Sequence, residues 1–182
     1  MEEKEALLRN TCDTRDVEPI MMSLPYPEVK VREKNLTYAN LLSIDYCGSV
    51  SEMSAVMQYI NNQNRLSCDQ CPLAKTILGI AIAEMIHMKK LGELIFLLGG
   101  KIDFAAKYRD GRQKMWTPKF VEIHDEPKEM LLSDIKAEQD AIEQYKIHIR
   151  MIEDDWVTAV LARIIKDEEY HIMLLQILLK EL

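Results

Sequence analysis

"EMSAVMQY" at residues 52–59 and "EQDAIEQY" at residues 138–145 share one frame, Glu-x-x-Ala-x-x-Gln-Tyr, and this repetition decides how the chain is read. Seven residues make about two helical turns, so Tyr59 returns to the face of Glu52, and Tyr145 to that of Glu138. The small Ala55 and Ala141 leave room on those faces. A helix that merely packs would accept many substitutes at these places, so the doubled set asks for a common purpose.

Around the first copy, apolar residues recur at three and four positions from about Asn35 to Asn64 without a proline, which predicts one long helix A. "NNQNRLSCDQCP" ends it. Pro72 suits the first turn of helix B, and the Gly99-Gly100 pair suits its end. The short loop between A and B makes them antiparallel neighbours. Residues 101–126 show no sustained period and contain Gly111 and Pro118, so they read as a long crossover, with no sheet expected. Around the second copy, helix C runs from about Pro127 to Ile152, "EDD" makes a turn, and helix D continues to Leu182. Residues 1–34, with Pro19, Pro25 and Pro27, read as an extended strap laid over a single domain of residues 35–182. The expected fold class is all-α: a four-helix bundle of two antiparallel hairpins joined by the crossover.

The composition narrows the function. With 182 residues, 48% of them hydrophobic, and a formal net charge of -7, the chain suits one globular domain and not a partner bound through its phosphates. The opening "MEEKEALLRN" lacks a signal-peptide pattern, and no uninterrupted apolar run reaches membrane-spanning length, so a cytoplasmic protein with no membrane partner is expected. Four cysteines are few for this length, which makes reduced thiols the expectation rather than a disulfide framework. The Cys68-x-x-Cys71 pair next to helix B is a weak redox signal, and Cys71 lies about 20 Å along the helix from Glu84.

Helix B carries "EMIH", Glu84 to His87, and helix D carries "EEYH", in which Glu168 and His171 have the same separation. Three residues is nearly one turn, so each carboxylate and imidazole share a face. Counted back from the two hairpin turns, Glu52, Glu84, Glu138 and Glu168 reach a similar depth. Four carboxylates within a few ångströms in a low-dielectric core repel unless they take up protons or bind cations. Two divalent cations would balance them, each half supplying one glutamate and one Glu-x-x-His. Glu93, Glu143 and Glu169 point well away from these faces and read as solvated; His124 and His148 lie too far from the motifs to join them.

This set resembles the ligands of ferritin-like di-iron and di-manganese carboxylate proteins, among them rubrerythrins, bacterioferritins and manganese catalases. The resemblance covers roughly residues 35–182. It implies that Glu84 and Glu168 bridge two metals, that Glu52 and Glu138 are terminal ligands, and that His87 and His171 bind one metal each. It further implies that Tyr59 and Tyr145 hydrogen-bond to ligand carboxylates and that Asp167 orients His87. The cofactors so implied are two iron ions, or alternatively two manganese ions. The activity implied is an oxidoreductase reducing peroxide or dioxygen with an external electron donor; the alternatives are a manganese catalase and a ferroxidase or iron-handling protein. A homo-oligomer is expected, a dimer first. Two departures stand out. Ala141 occupies the place of an additional glutamate found in rubrerythrins, and the sequence ends with helix D, which argues against a 24-subunit storage shell.

Overall fold

A computed structural model describes residues 11–182. Its elements are α1 (Leu36–Cys47), α2 (Glu52–Leu66), α3 (Cys71–Leu97), β1 (Ala105–Lys107), β2 (Gln113–Met115), a 3-10 turn (Pro118–Phe120), α4 (Pro127–Met151) and α5 (Asp155–Glu181). Both α1 and α2 pack along α3, and α4 packs along α5. The architecture is therefore a four-helix bundle whose first member is in two pieces, with the crossover joining the hairpins.

The break in the first helix corrects the expectation of one continuous helix from 35 to 64. Gly48 leaves the helical region with ψ of -167°, and its N–H closes the last turn on the Ile44 carbonyl. Ser51 then caps a new helix by accepting from the Ser54 N–H, with Glu52 in the first turn. Apolar periodicity runs through the break, so only the capping pattern in "CGSVSE" signals it. The other boundaries follow their local chemistry. Pro72 stands in the first turn of α3, Asp154 caps α5 by accepting from Trp156 N–H, and Gly99, at φ of +83°, takes the left-handed conformation that follows α3.

Two further expectations are corrected. The crossover contains a small antiparallel hairpin, with Ala105 opposite Met115 and Lys107 opposite Gln113; three-residue strands are too short to leave a legible alternation. Cys12 and Cys71 form a disulfide across 59 residues of sequence, while Cys47 and Cys68 are free. Spacing could not reveal that pairing, because Cys12 reaches Cys71 only once the strap lies on the bundle; the Cys12 N–H donates to the Ser67 carbonyl beside it.

By length and composition α3 is apolar enough to cross a membrane, but half of its most apolar window is buried in the bundle. It lies between two apolar clusters. One gathers Leu42, Leu91, Leu94, Leu98, Leu161 and Ile164; the other gathers Leu66, Ile77, Ile80, Met130, Leu131 and Leu175. Burial of these side chains fixes the register of the helices, and the carboxylates come together between the clusters.

Candidate metal centre

Glu52 opens α2, Glu84 and His87 sit mid-way along α3, Glu138 lies on α4, and Glu168 and His171 lie on α5. All six are buried, none more than 3% exposed. The donor atoms of Glu52, Glu84, His87 and Glu168 lie within 4.8 Å of one another, as do those of Glu84, Glu138, Glu168 and His171. Glu84 and Glu168 belong to both groups, each with one oxygen on either side. His87 Nδ1 is 3.2 Å from Glu84 Oε2 and 3.3 Å from Glu168 Oε1, whereas His171 Nδ1 is 3.0 Å from Glu84 Oε1 and 3.0 Å from Glu168 Oε2. Glu52 Oε2 completes the first side at 3.5 Å from His87 Nδ1, and Glu138 Oε1 the second at 3.4 Å from His171 Nδ1.

These distances test whether cations fit. Donor atoms about 2.1 Å from one cation and at right angles to each other lie about 3 Å apart, close to the spacing found here. A ring nitrogen can make a good hydrogen bond to only one of three such oxygens. His171 Nε2 donates to the Ile20 carbonyl at 2.8 Å; a carbonyl can only accept, so Nε2 carries a proton, and Nδ1 faces three carboxylate oxygens. Glu52 Oε2, Glu84 Oε1, Glu168 Oε2 and His171 Nδ1 are buried without a well-formed hydrogen bond. Positive charge between them satisfies all four atoms at once, so the donor set fits a pair of divalent cations.

The electrostatics make the same demand. Burial, together with the charge of Glu84, holds the Glu52 carboxyl well above the usual range, and burial together with Glu168 does the same to Glu138. For Glu84, burial pulls upward but the charge of His87 and hydrogen bonds from Glu52 and the two histidines win, leaving it well below the usual range. Burial opposes charge on the imidazoles, yet the surrounding carboxylates raise both His87 and His171 well above an ordinary histidine.

The repeat's remaining residues act across the bundle. Tyr145 on α4 donates to Glu52 Oε1 on α2, and Tyr59 on α2 donates to Glu138 Oε1 on α4. Each tyrosine thus holds the glutamate of the opposite half, and burial with that neighbouring carboxylate keeps both phenols protonated. The glutamines cross over in the same way. Gln58 Nε2 donates to Asp134 at 2.8 Å, and Gln144 Nε2 donates to Asp45 at 2.7 Å. Each aspartate is buried and takes a second bond from the residue four places after its glutamine, Asn62 for Asp134 and His148 for Asp45. These four partners escaped the sequence reading. The doubled glutamine was their signal, but its target lies on another helix.

Asp167 is fully buried, with Oδ2 3.1 Å from His87 Nε2. Tyr26 Oη and the Met22 N–H donate to it at 2.7 Å each, and Arg163 pairs with it at 2.6 Å. Burial would raise its pKa, but bonds from His87, Arg163, Tyr26 and Met22 lower it to about 2. The strap therefore supports both histidines from outside, holding Asp167 of α5 against His87 and giving its own Ile20 carbonyl to His171. Tyr26 was missed because an irregular segment gives no periodicity from which to read what it covers, and Arg163, one helical turn before Asp167 on α5, was missed although its spacing was a signal. Glu93, Glu143 and Glu169 pair with Lys89, Lys146 and Lys166 on the exposed surface. His124 is part-exposed near Glu122 and Glu129.

A cavity of about 170 Å³ reaches this centre from the surface. Its floor is Glu52, Glu84, Glu138 and Glu168, Ala55 and Ala141 face into it, and Glu122, Lys136 and Asp140 stand at its rim. The histidines do not line it; their side is the one the strap covers.

The family described as Ferritin-like domain matches residues 51–182. A protein of Clostridium acetobutylicum named "Probable manganese catalase" is 28% identical over 164 residues, covering 79% of this chain and 71% of that one. The crystal structure of KatB, a manganese catalase from Anabaena, superposes with a TM-score of 0.78 at 21% identity, covering 87% of this chain and 78% of that one. Mycobacterium tuberculosis bacterioferritin, BfrA, superposes with a TM-score of 0.65 at 23% identity, covering 81% of this chain and 87% of that one. At these identities the two structural likenesses speak for the fold.

Proposed function

The chain belongs to the ferritin-like domain family, and from that premise we propose that it is an oxidoreductase that disproportionates hydrogen peroxide at a dinuclear manganese centre. The observation that carries this reading is the arrangement of Glu84 and Glu168, each turning one oxygen to either histidine, at the floor of a cavity open to a small molecule. The family resemblance put iron first with manganese as the alternative; the relationship to a protein named as a probable manganese catalase brings manganese forward.

Glu84 and Glu168 would be shared between the cations, with Glu52 and His87 completing one side and Glu138 and His171 the other. When bound, the metal pair would supply reversible electron storage and a clamp for both oxygens of a peroxide. The protein supplies the rest. Asp167 and the Ile20 carbonyl engage the outer nitrogens of the imidazoles, which keeps each Nδ1 turned inward. Tyr145 and Tyr59 engage Glu52 Oε1 and Glu138 Oε1 and so limit how far those carboxylates can swing. Glu52 and Glu138 also line the cavity, where they can hold the protons that leave one peroxide and are needed by the next. The two apolar clusters and the strap keep bulk water from the histidine side. We place the protein in the cytoplasm as a homo-oligomer, a dimer in the first instance, which sedimentation will test.

Metal analysis of protein purified from its native host, combined with oxygen evolution from hydrogen peroxide without reductant, tests the function. The expected result is two manganese ions per chain and one O₂ for every two peroxides consumed. Iron in that site with peroxide loss only when an electron donor is added would replace this reading with an iron-dependent peroxidase. Glu84→Ala and His171→Ala should each lose metal; full metal retention in both would reject the assignment of the centre.

A further inference from the structure

The cavity above the carboxylates is larger than hydrogen peroxide requires. Its volume of about 170 Å³ is several times the roughly 30 Å³ that a water molecule occupies in the liquid, and it matches the size of an apolar cavity able to take up benzene. Hydrogen peroxide is little bigger than water, and two cations would fill only a small part of the space. The wall between floor and rim is apolar in effect. Ala55 projects from α2, Ala137 and Ala141 from α4 one turn apart, and Phe120 closes the side formed by the crossover.

The polar residues of that wall are already engaged. Gln58 gives its amide to Asp134 and Ser133 and accepts from the Glu122 N–H. Ser51 and Ser54 donate to the Gly48 carbonyl, and Ser54 accepts from Trp116. Unsatisfied polarity is thus confined to the floor. At the rim Lys136 pairs with Asp140, and Glu122 accepts from Ser133 at 2.9 Å with His124 at 3.6 Å. A compact hydrocarbon body with one polar reactive end fits such a space.

We propose that the site also accepts a small uncharged organic hydroperoxide, ROOH, with R no larger than a tert-butyl group. This rests on the peroxide reading above. The net reaction is ROOH + H₂O₂ → ROH + H₂O + O₂. The O–O bond of ROOH breaks and receives two electrons and two protons from hydrogen peroxide, which leaves as dioxygen. tert-Butyl hydroperoxide has as many non-hydrogen atoms as benzene, so the cavity has room for it.

Two measurements test this. First, metal-free protein with ¹³C-labelled alanine methyls is titrated with tert-butanol, the product of the proposed reaction, which does not react further. The signals of Ala55, Ala137 and Ala141 are expected to shift together and saturate. Second, metal-loaded protein is given tert-butyl hydroperoxide with hydrogen peroxide, and one tert-butanol is expected to appear for each additional O₂. Ala141→Leu and Ala137→Leu each fill the shaft. Each should abolish the saturating shifts and lower kcat/KM for the organic hydroperoxide, relative to that for hydrogen peroxide, by about tenfold or more. Oxygen evolution from hydrogen peroxide with no tert-butanol formed and no methyl shifts would overturn this inference and leave the catalase reading intact. A fully metallated protein that evolves no oxygen from hydrogen peroxide would overturn both.

Discussion

Replacing the buried carboxylate of Asp134 by an amide is expected to stabilise the protein at neutral pH and to do nothing of the kind in acid. Asp134 is 0% exposed, and among the described residues no Lys, Arg or His lies within ion-pair distance of it. Its partners are neutral: Gln58 Nε2 at 2.8 Å and Asn62 Nδ2 at 3.0 Å from each carboxylate oxygen. Burial raises its pKa from 3.8 to about 6, against the opposing effect of those hydrogen bonds and of His124. The folded protein therefore binds this proton more tightly than the unfolded chain, and stability falls as pH rises through that interval. The penalty is absent below about pH 4 and complete above about pH 6. At about 1.4 kcal/mol per pH unit its ceiling is about 3 kcal/mol.

Asn62 Oδ1 is buried without a partner, so Asp134→Asn can form a reciprocal amide pair with Asn62 and leave no new orphan. Part of the ceiling is offset by burial of the new amide, and a gain of about 1 to 2 kcal/mol at pH 7.5 is expected. Urea denaturation of the metal-free parent and variant at pH 4.5 and 7.5 measures it. Every other group titrates in both proteins, so the difference isolates Asp134. A variant less stable than the parent at pH 7.5, or a difference that ignores pH, would refute the reasoning.

Other perturbations have equally definite outcomes. Tyr145→Phe and Tyr59→Phe remove the hydroxyls that hold Glu52 and Glu138, and each should weaken metal binding by about 10- to 100-fold in competition with a chelator, while the helical circular dichroism is unchanged. Gly79→Ala places a Cβ 2.7 Å from Ile20 Cγ1 of the strap, beneath the carbonyl that holds His171; a loss of about 1 to 3 kcal/mol is expected in thermal unfolding. Breaking the Cys12–Cys71 bond, by reduction or by Cys12→Ala, releases a loop spanning 59 residues, for which chain entropy gives at most about 4 kcal/mol; the fall in unfolding midpoint should be the same by either route.

The convergence of six carboxylate and imidazole side chains was legible in the sequence because each obeys a local rule: Glu52 and Glu138 stand in the doubled Glu-x-x-Ala-x-x-Gln-Tyr frame, and the other four form two Glu-x-x-His pairs. Three residues between Glu84 and His87, and between Glu168 and His171, put both groups on one helix face whatever the rest of the molecule does. The order of hairpin, crossover and hairpin followed from helix-period patterning interrupted by proline and glycine. The strap was legible only as a stretch that does not form helix, since nothing in an irregular segment states what it lies upon.

By itself, then, the sequence determined the bundle and the faces that carry the acidic residues, for both depend on intervals of three, four and seven along one helix. Tertiary structure alone decided which groups complete them. Tyr145 serves Glu52 and Tyr59 serves Glu138, Gln58 and Gln144 reach buried aspartates on opposite helices, and Ile20 and Tyr26 close the histidine side from a segment more than 130 residues away in the chain. Such contacts arise from how the helices pack against one another, and packing responds to the volume of every side chain in the core at once, which no local spacing encodes.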